Sequence, residues 1–145
     1  MRQTCSMCAA MLIVTAGCSS SLTAPPNGLP VTLTTVSSQG VQVPSITSGD
    51  DSVTAIVMEP AAAACDGPVT PAAGVRGEAL VVTLTQQVRT GPCPPIGVTA
   101  VVPLPIQLVV HDVPSGTSSA QVVLRLVRGN NATFTVLASG AISVP

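Results

Sequence analysis

The chain has 145 residues, of which 46% are hydrophobic and 8% are charged, and its formal net charge at pH 7 is −1. Disordered proteins have few apolar residues, so this composition predicts that the chain folds. The chain has no basic patch that could bind nucleic acid or anionic lipid headgroups. Phe134 is the only aromatic residue, which excludes a stacking platform for bases or sugars. The composition therefore predicts a folded domain with an aliphatic core and no nucleic-acid partner.

The first 17 residues follow the order of regions in a secretory signal peptide. Arg2 supplies a positive charge, an apolar run extends from Met7 to Gly17, and Cys18 follows it. The run is about half the ~20 residues that a membrane-spanning helix needs. We therefore expect residues 1–17 to be a signal peptide and not a transmembrane helix.

Val14-Thr15-Ala16-Gly17-Cys18 resembles the lipobox of bacterial lipoproteins, in which an aliphatic residue and two small residues precede an invariant cysteine. The resemblance implies that Cys18 becomes the mature N-terminus and carries acyl chains that bind the membrane. Ser19 resembles the signal for export to the outer membrane in Gram-negative hosts. Thr15 departs from the family's commonest residue, leucine, and an ordinary signal peptide cut near a cysteine is the alternative.

The rest of the chain divides into a tether and one domain. Residues 18–29 are polar and proline-containing, as is typical of a flexible linker. Residues 30–145 are enough for a single domain.

The cysteines predict one structural disulfide. Cys5 and Cys8 lie in the signal peptide and Cys18 is assigned to the lipid, which leaves Cys65 and Cys93 in a compartment where disulfides persist. A redox or metal-binding pair is the alternative, but the two residues are far apart and form no C-x-x-C motif.

Two-residue alternation of apolar and polar residues predicts β-strands along most of the domain. Met58–Gly77 is predicted to be a long loop with a helical turn at Ala61–Ala64. A turn at Gly129-Asn130-Asn131 is predicted to join the last two strands as a hairpin. The predicted strands are Leu29–Ser37, Val41–Ile46, Asp51–Met58, Ala79–Arg89, Val98–Val113 (one strand, or two bent at Pro103 and Pro105), Gln121–Arg128 and Ala132–Val144.

About seven short strands separated by Pro, Gly, Ser and Asn favour an all-β fold, an antiparallel β-sandwich in preference to a small barrel. The strand count and spacing resemble immunoglobulin-like domains, although the tryptophan and the corner tyrosine of that family are absent. Alternation predicts the residues that face the core of the sandwich: Leu80, Val82, Leu84 and Val88; Val122, Leu124 and Leu126; and Phe134, Val136, Ala138, Ile142 and Val144.

Few residues suggest chemistry. His111, the only histidine, stands beside Asp112, which alternation assigns to the inward parity at a strand end. A His–Asp pair could begin a hydrolytic triad, but no G-x-S-x-G elbow accompanies it. Asp50 and Asp51 lack the spacing of the acidic residues in a calcium-binding loop, and we expect them to form a polar turn before a strand. We therefore expect no catalytic residue, no metal and no cofactor.

These observations predict a cell-envelope lipoprotein with a non-enzymatic β domain that binds or braces a component of the cell surface or periplasm, with an envelope protein as a possible partner. One alternative is a protease-inhibitor or chaperone-like module that offers a strand edge or the rigid loop Gly91–Gly97 to a partner. A more remote alternative is a hydrolase that uses His111.

Overall fold

The computed structural model describes residues 28–60, 65–92 and 102–145. These residues form eight β-strands, one more than the seven expected, and no helix. The strands are β1 (Val31–Thr35), β2 (Ser45–Ser48), β3 (Val53–Met58), β4 (Thr70–Arg76), β5 (Ala79–Gln87), β6 (Pro105–Val110), β7 (Ser119–Arg128) and β8 (Asn131–Ala141).

The strands form two four-stranded sheets, as expected for a β-sandwich. The first sheet has the order β1-β6-β3-β2 and the second has the order β4-β5-β7-β8. Leu29, just before β1, bridges to Ala73 of β4, with its N–H donating to the Ala73 carbonyl at 2.8 Å. At the opposite margin the Ser143 N–H donates to Ser48 Oγ at 3.3 Å. The two sheets are therefore joined at both margins.

The antiparallel prediction holds for the first sheet and fails at one pair in the second. β5 and β7 are parallel, with Ala79 opposite Ser119 and Gln87 opposite Val127. A hairpin forces its two strands to be antiparallel, whereas these two strands are separated in the chain by β6, which lies in the other sheet. The chain leaves the second sheet after β5 and returns to it in the same direction.

The core lies between the sheets and is aliphatic. Alternate residues of the central strands fill it because successive side chains point to opposite faces of a sheet. The predicted inward residues of β5 and β7 are confirmed, except that Val88 and Leu126 are only partly buried. The largest apolar side chains of the core with at most 2% exposure are Leu80, Leu84, Ile106, Leu108, Val53, Val57, Val82, Val110 and Val122.

Two of the five residues predicted to face inward in the last strand are exposed. Ala138 and Val144 are buried and Ile142 packs against the core, but Phe134 and Val136 are 41% and 48% exposed. Val122 pairs with Ala138 while Val123 pairs with Val136, so Leu137 is an extra residue in a β-bulge. One inserted residue reverses the alternation that precedes it, which turns Phe134 and Val136 to the opposite face of the sheet.

The predicted loop Met58–Gly77 contains a strand, β4. Its sequence, TPAAGVR, is rich in residues that disfavour strands, so local propensity gave no signal. Pairing with β5 supplies the missing stabilisation, and the edge position of β4 tolerates Pro71, which has no N–H to donate. The predicted helical turn at Ala61–Ala64 lies outside the described residues.

Prolines also set the starts of two other strands. The predicted strand Val41–Ile46 is displaced, and β2 begins at Ser45, directly after Pro44. The predicted strand Val98–Val113 is shorter: β6 begins at Pro105 and ends at Val110. Because proline lacks a backbone donor, it is favoured at the first position of a strand.

The sandwich has two ends, which we call the entry end and the distal end. The entry end contains Gly28, the β2–β3 turn and the segment from residue 111 to 118. That segment joins the two sheets, because the Val113 N–H donates to the Asp51 carbonyl and the Ser118 N–H donates to the Glu78 carbonyl, both at 2.9 Å. The distal end contains the β7–β8 turn and the start of β6.

Candidate functional site

His111 and Asp112 lie at the surface of the entry end, just after β6. The His111 N–H donates to the Pro30 carbonyl at 2.9 Å. Asp112 does not occupy the predicted inward position: it is exposed and has a φ of 57°, while Val113 is buried in its place. The alternation of side chains ends where β6 ends. Because Asp112 is a turn residue with positive φ, the direction of its side chain does not follow the strand. The structure therefore places both side chains in solvent.

The paired acids Asp50 and Asp51 form the exposed turn between β2 and β3. The Asp51 carbonyl accepts the Val113 N–H, so the turn helps to close the entry end. Across the described ranges, 28–60, 65–92 and 102–145, no group of three or more His, Cys, Asp or Glu residues could hold a metal ion. The turn has the structural role that the sequence indicated.

Cys65 lies in the segment between β3 and β4 and is disulfide-bonded. Its predicted partner Cys93, the lipidation site Cys18 and most of the predicted loop Gly91–Gly97 lie outside the described residues. The same segment is held to the distal end of β5: Asp66 Oδ1 accepts the Arg89 N–H at 3.1 Å, and the Gly67 N–H donates to the Gln87 carbonyl at 2.9 Å. The segment is therefore fixed at Asp66 and Gly67 to the end of β5 and the residues that follow it.

The side of the second sheet that faces away from the core, which we call the outer face, carries several apolar residues. In its middle, Val81 and Thr83 of β5 and Val123 of β7 are at most 7% exposed. On β8, the neighbouring Phe134 and Val136 are more than 40% exposed. Exposure of large apolar groups on this face is therefore concentrated on the edge strand.

Arg125 lies next to Phe134 on the outer face. The two residues are directly opposite each other in the β7–β8 register, which brings Cβ atoms to about 5 Å. The Arg125 Nε atom is buried and has no hydrogen-bond partner. Arg125 and Phe134 are therefore cross-strand neighbours on the outer face.

A small cavity of about 260 Å³ lies at the distal end, beside the β7–β8 hairpin. Val88 and Leu126 give it apolar walls, and Arg128 and Asn131 contribute polar groups. Its volume is below the range of about 300–1,000 Å³ that is usual for small-molecule sites. The cavity is therefore smaller than a usual small-molecule site.

Sequence reasoning assigned Phe134 and Val136 to the core and so missed them as surface residues. The alternation from Ala132 to Val144 is broken at Leu137, an apolar residue where a polar one is expected, and this break was the signal that could have marked the bulge. The bulge follows from the pairing with β7, which a reading of β8 alone does not include.

Comparisons with protein-family models, with curated proteins and with solved structures found no match for this chain. A search of the described residues found no helix long and apolar enough to cross a membrane.

Proposed function

We propose that the chain is a lipid-anchored protein of the bacterial cell envelope, in which an immunoglobulin-like β-sandwich binds or braces another envelope component without catalysis. The lipobox-like sequence that ends at Cys18 supports the anchor, and it would place the protein in the outer membrane of a Gram-negative host. The two joined four-stranded sheets support the binding domain.

The observation that carries the proposal is the position of the exposed apolar side chains relative to the chain's point of entry. Gly28 lies at the entry end, and the ten residues from Cys18 can extend about 35 Å. Among the described residues, all five exposed large hydrophobic side chains lie between mid-strand and the distal end: Met58, Val102, Leu104, Phe134 and Val136. A domain tethered at one end thus presents its apolar groups away from the anchor.

Most of the acidic residues lie at the end opposite the exposed apolar side chains. Four of the six acidic residues lie at the entry end, accompanied by Arg76, and they are Asp50, Asp51, Glu78 and Asp112. Anionic headgroups repel such an end within about one Debye length, near 8–10 Å. The repulsion keeps the domain off the lipid surface and leaves its distal half accessible.

The experiment replaces the lipid-bearing thiol. In a bacterium that processes lipoproteins, Cys18→Ser should abolish labelling by a fatty-acid tracer and release the protein from the membrane fraction, because serine lacks the thiol to which the lipid is attached. Cys8→Ser is the matched control, since it removes a cysteine from the signal peptide and should leave labelling unchanged. Labelling that survives Cys18→Ser would overturn the proposed anchor.

A further inference from the structure

The outer edge of β8 is open along half of its length. β8 is an edge strand and pairs only with β7 among the described strands. All six residues from Asn131 to Val136 are exposed, whereas the chain beyond them approaches β2, where Ser143 bonds Ser48. The first half of β8 therefore presents unpaired backbone groups that could extend the sheet.

Before the bulge at Leu137, this edge lacks the other features that usually prevent strand pairing. Natural edge strands are protected by charged side chains, by proline or by shortness. No charged residue occurs from Gly129 to Pro145 and no proline before Pro145 itself, and β8 has 11 residues. The bulge at Leu137 limits the regular part of the edge to the residues before it. A partner strand can therefore bind to one defined segment.

The sequence of that segment is complementary to itself. We propose that β8 pairs in antiparallel orientation with β8 of a second copy of this chain, centred on Phe134. In this register Phe134 faces Phe134, Thr133 faces Thr135, and Ala132 faces Val136. Every pair joins like with like, and aromatic and threonine pairs each contribute about 0.2–1 kcal/mol. A twofold interface requires such a self-complementary surface.

The outer face supports the same arrangement. Phe134 lies beside Arg125 within one chain, so the register creates a continuous row of Arg125, Phe134, and their two equivalents in the second copy. The single aromatic pair is then flanked by a guanidinium group on both sides, and each group can contact a ring face. The two sheets become one sheet of eight strands across the interface.

This inference concerns the described domain and does not rest on the lipid anchor. A chain in which Cys18→Ser has removed the anchor should still form the pair, so failure of one proposal is distinguishable from failure of the other.

The first experiment tests the register by disulfide formation in the full chain under mild oxidation in detergent. Phe134→Cys should give a reducible dimer joined at position 134, because directly opposed residues lie within the Cα separation that a disulfide spans. Val136→Cys is the matched control: it is similarly exposed, but its two copies would lie about 14 Å apart and should cross-link about tenfold less. Equal cross-linking of the two variants, or a bond from position 134 to another protein, overturns the proposal.

The second experiment measures mass by sedimentation in density-matched detergent. The unmodified chain should have the mass of two copies, and Phe134→Lys should have the mass of one, because it places two ammonium groups opposite each other. Ala72→Lys adds the same charge to the same face at the other edge of the sheet and should remain a dimer. A single-chain mass for the unmodified protein up to about 0.1 mM overturns the proposal.

Discussion

Two leucines, one within β6 and one just before it, show how strongly burial at a single residue determines stability. Leu108 has 0% exposure in the core, whereas Leu104, just before the strand, is 45% exposed. We predict that Leu108→Ala lowers the free energy of unfolding by about 2–5 kcal/mol, because it removes buried methyl groups and leaves a cavity. Urea denaturation monitored by circular dichroism measures the change.

Leu104→Ala is the control for that substitution, because it removes the same atoms from a side chain that water already reaches. Its expected loss is below about 1 kcal/mol. Equal losses for the two variants would contradict the position of the core.

The buried side-chain amide of Gln86 is a second single residue that contributes to stability. Gln86 is 2% exposed at the core-facing parity of β5, where an aliphatic residue would be expected. Its Nε2 donates to the Gly67 carbonyl at 3.2 Å, which satisfies a donor that would otherwise be costly to bury. Gln86 thus holds the segment that contains Cys65 against β5.

Among the elements, the β7–β8 hairpin depends on its turn. Gly129 has a φ of 58°, a conformation that costs other residues about 1–2 kcal/mol. Gly140, within β8, has no positive φ, and a Cβ atom there would meet nothing within 4 Å. We therefore predict that Gly129→Ala destabilises the domain by about 1 kcal/mol, whereas Gly140→Ala is neutral or slightly stabilising.

Thermal or urea unfolding of the two glycine variants provides the measurement. Both substitutions restrict the unfolded chain equally, so their difference isolates the backbone conformation of the turn. The interpretation fails if Gly140→Ala is the more destabilising of the two.

At the scale of the whole molecule, the disulfide at Cys65 ties the segment before β4 to a distant part of the chain. With Cys93 as its partner, the closed loop has about 28 residues, and on the chain-entropy model the bond contributes roughly 3–4 kcal/mol. We predict that Cys93→Ser lowers the unfolding midpoint and frees the Cys65 thiol. Cys8→Ser, within the signal peptide, should change neither property.

Peptide mapping of the exported protein without reduction identifies the partner directly. A bond from Cys65 to a cysteine other than Cys93 would refute the pairing.

The sequence by itself determined the class of the fold and most of the strands. Alternation identified β1, β3, β5, β7 and β8, and turn residues located the β7–β8 hairpin. These features are local, because side-chain period and turn conformation depend on neighbouring residues. The lipobox-like sequence that ends at Cys18 is also a local pattern, and the lipid anchor remains a prediction.

Only the tertiary structure decided which strands pair and which face some residues occupy. β4 exists because β5 pairs with it, β5 and β7 are parallel because β6 lies in the other sheet, and the bulge at Leu137 turns Phe134 outward. Each outcome depends on hydrogen bonds between segments distant in sequence, and the pattern within one segment does not specify which segments pair. The candidate interface on β8 was hidden from the sequence for that reason.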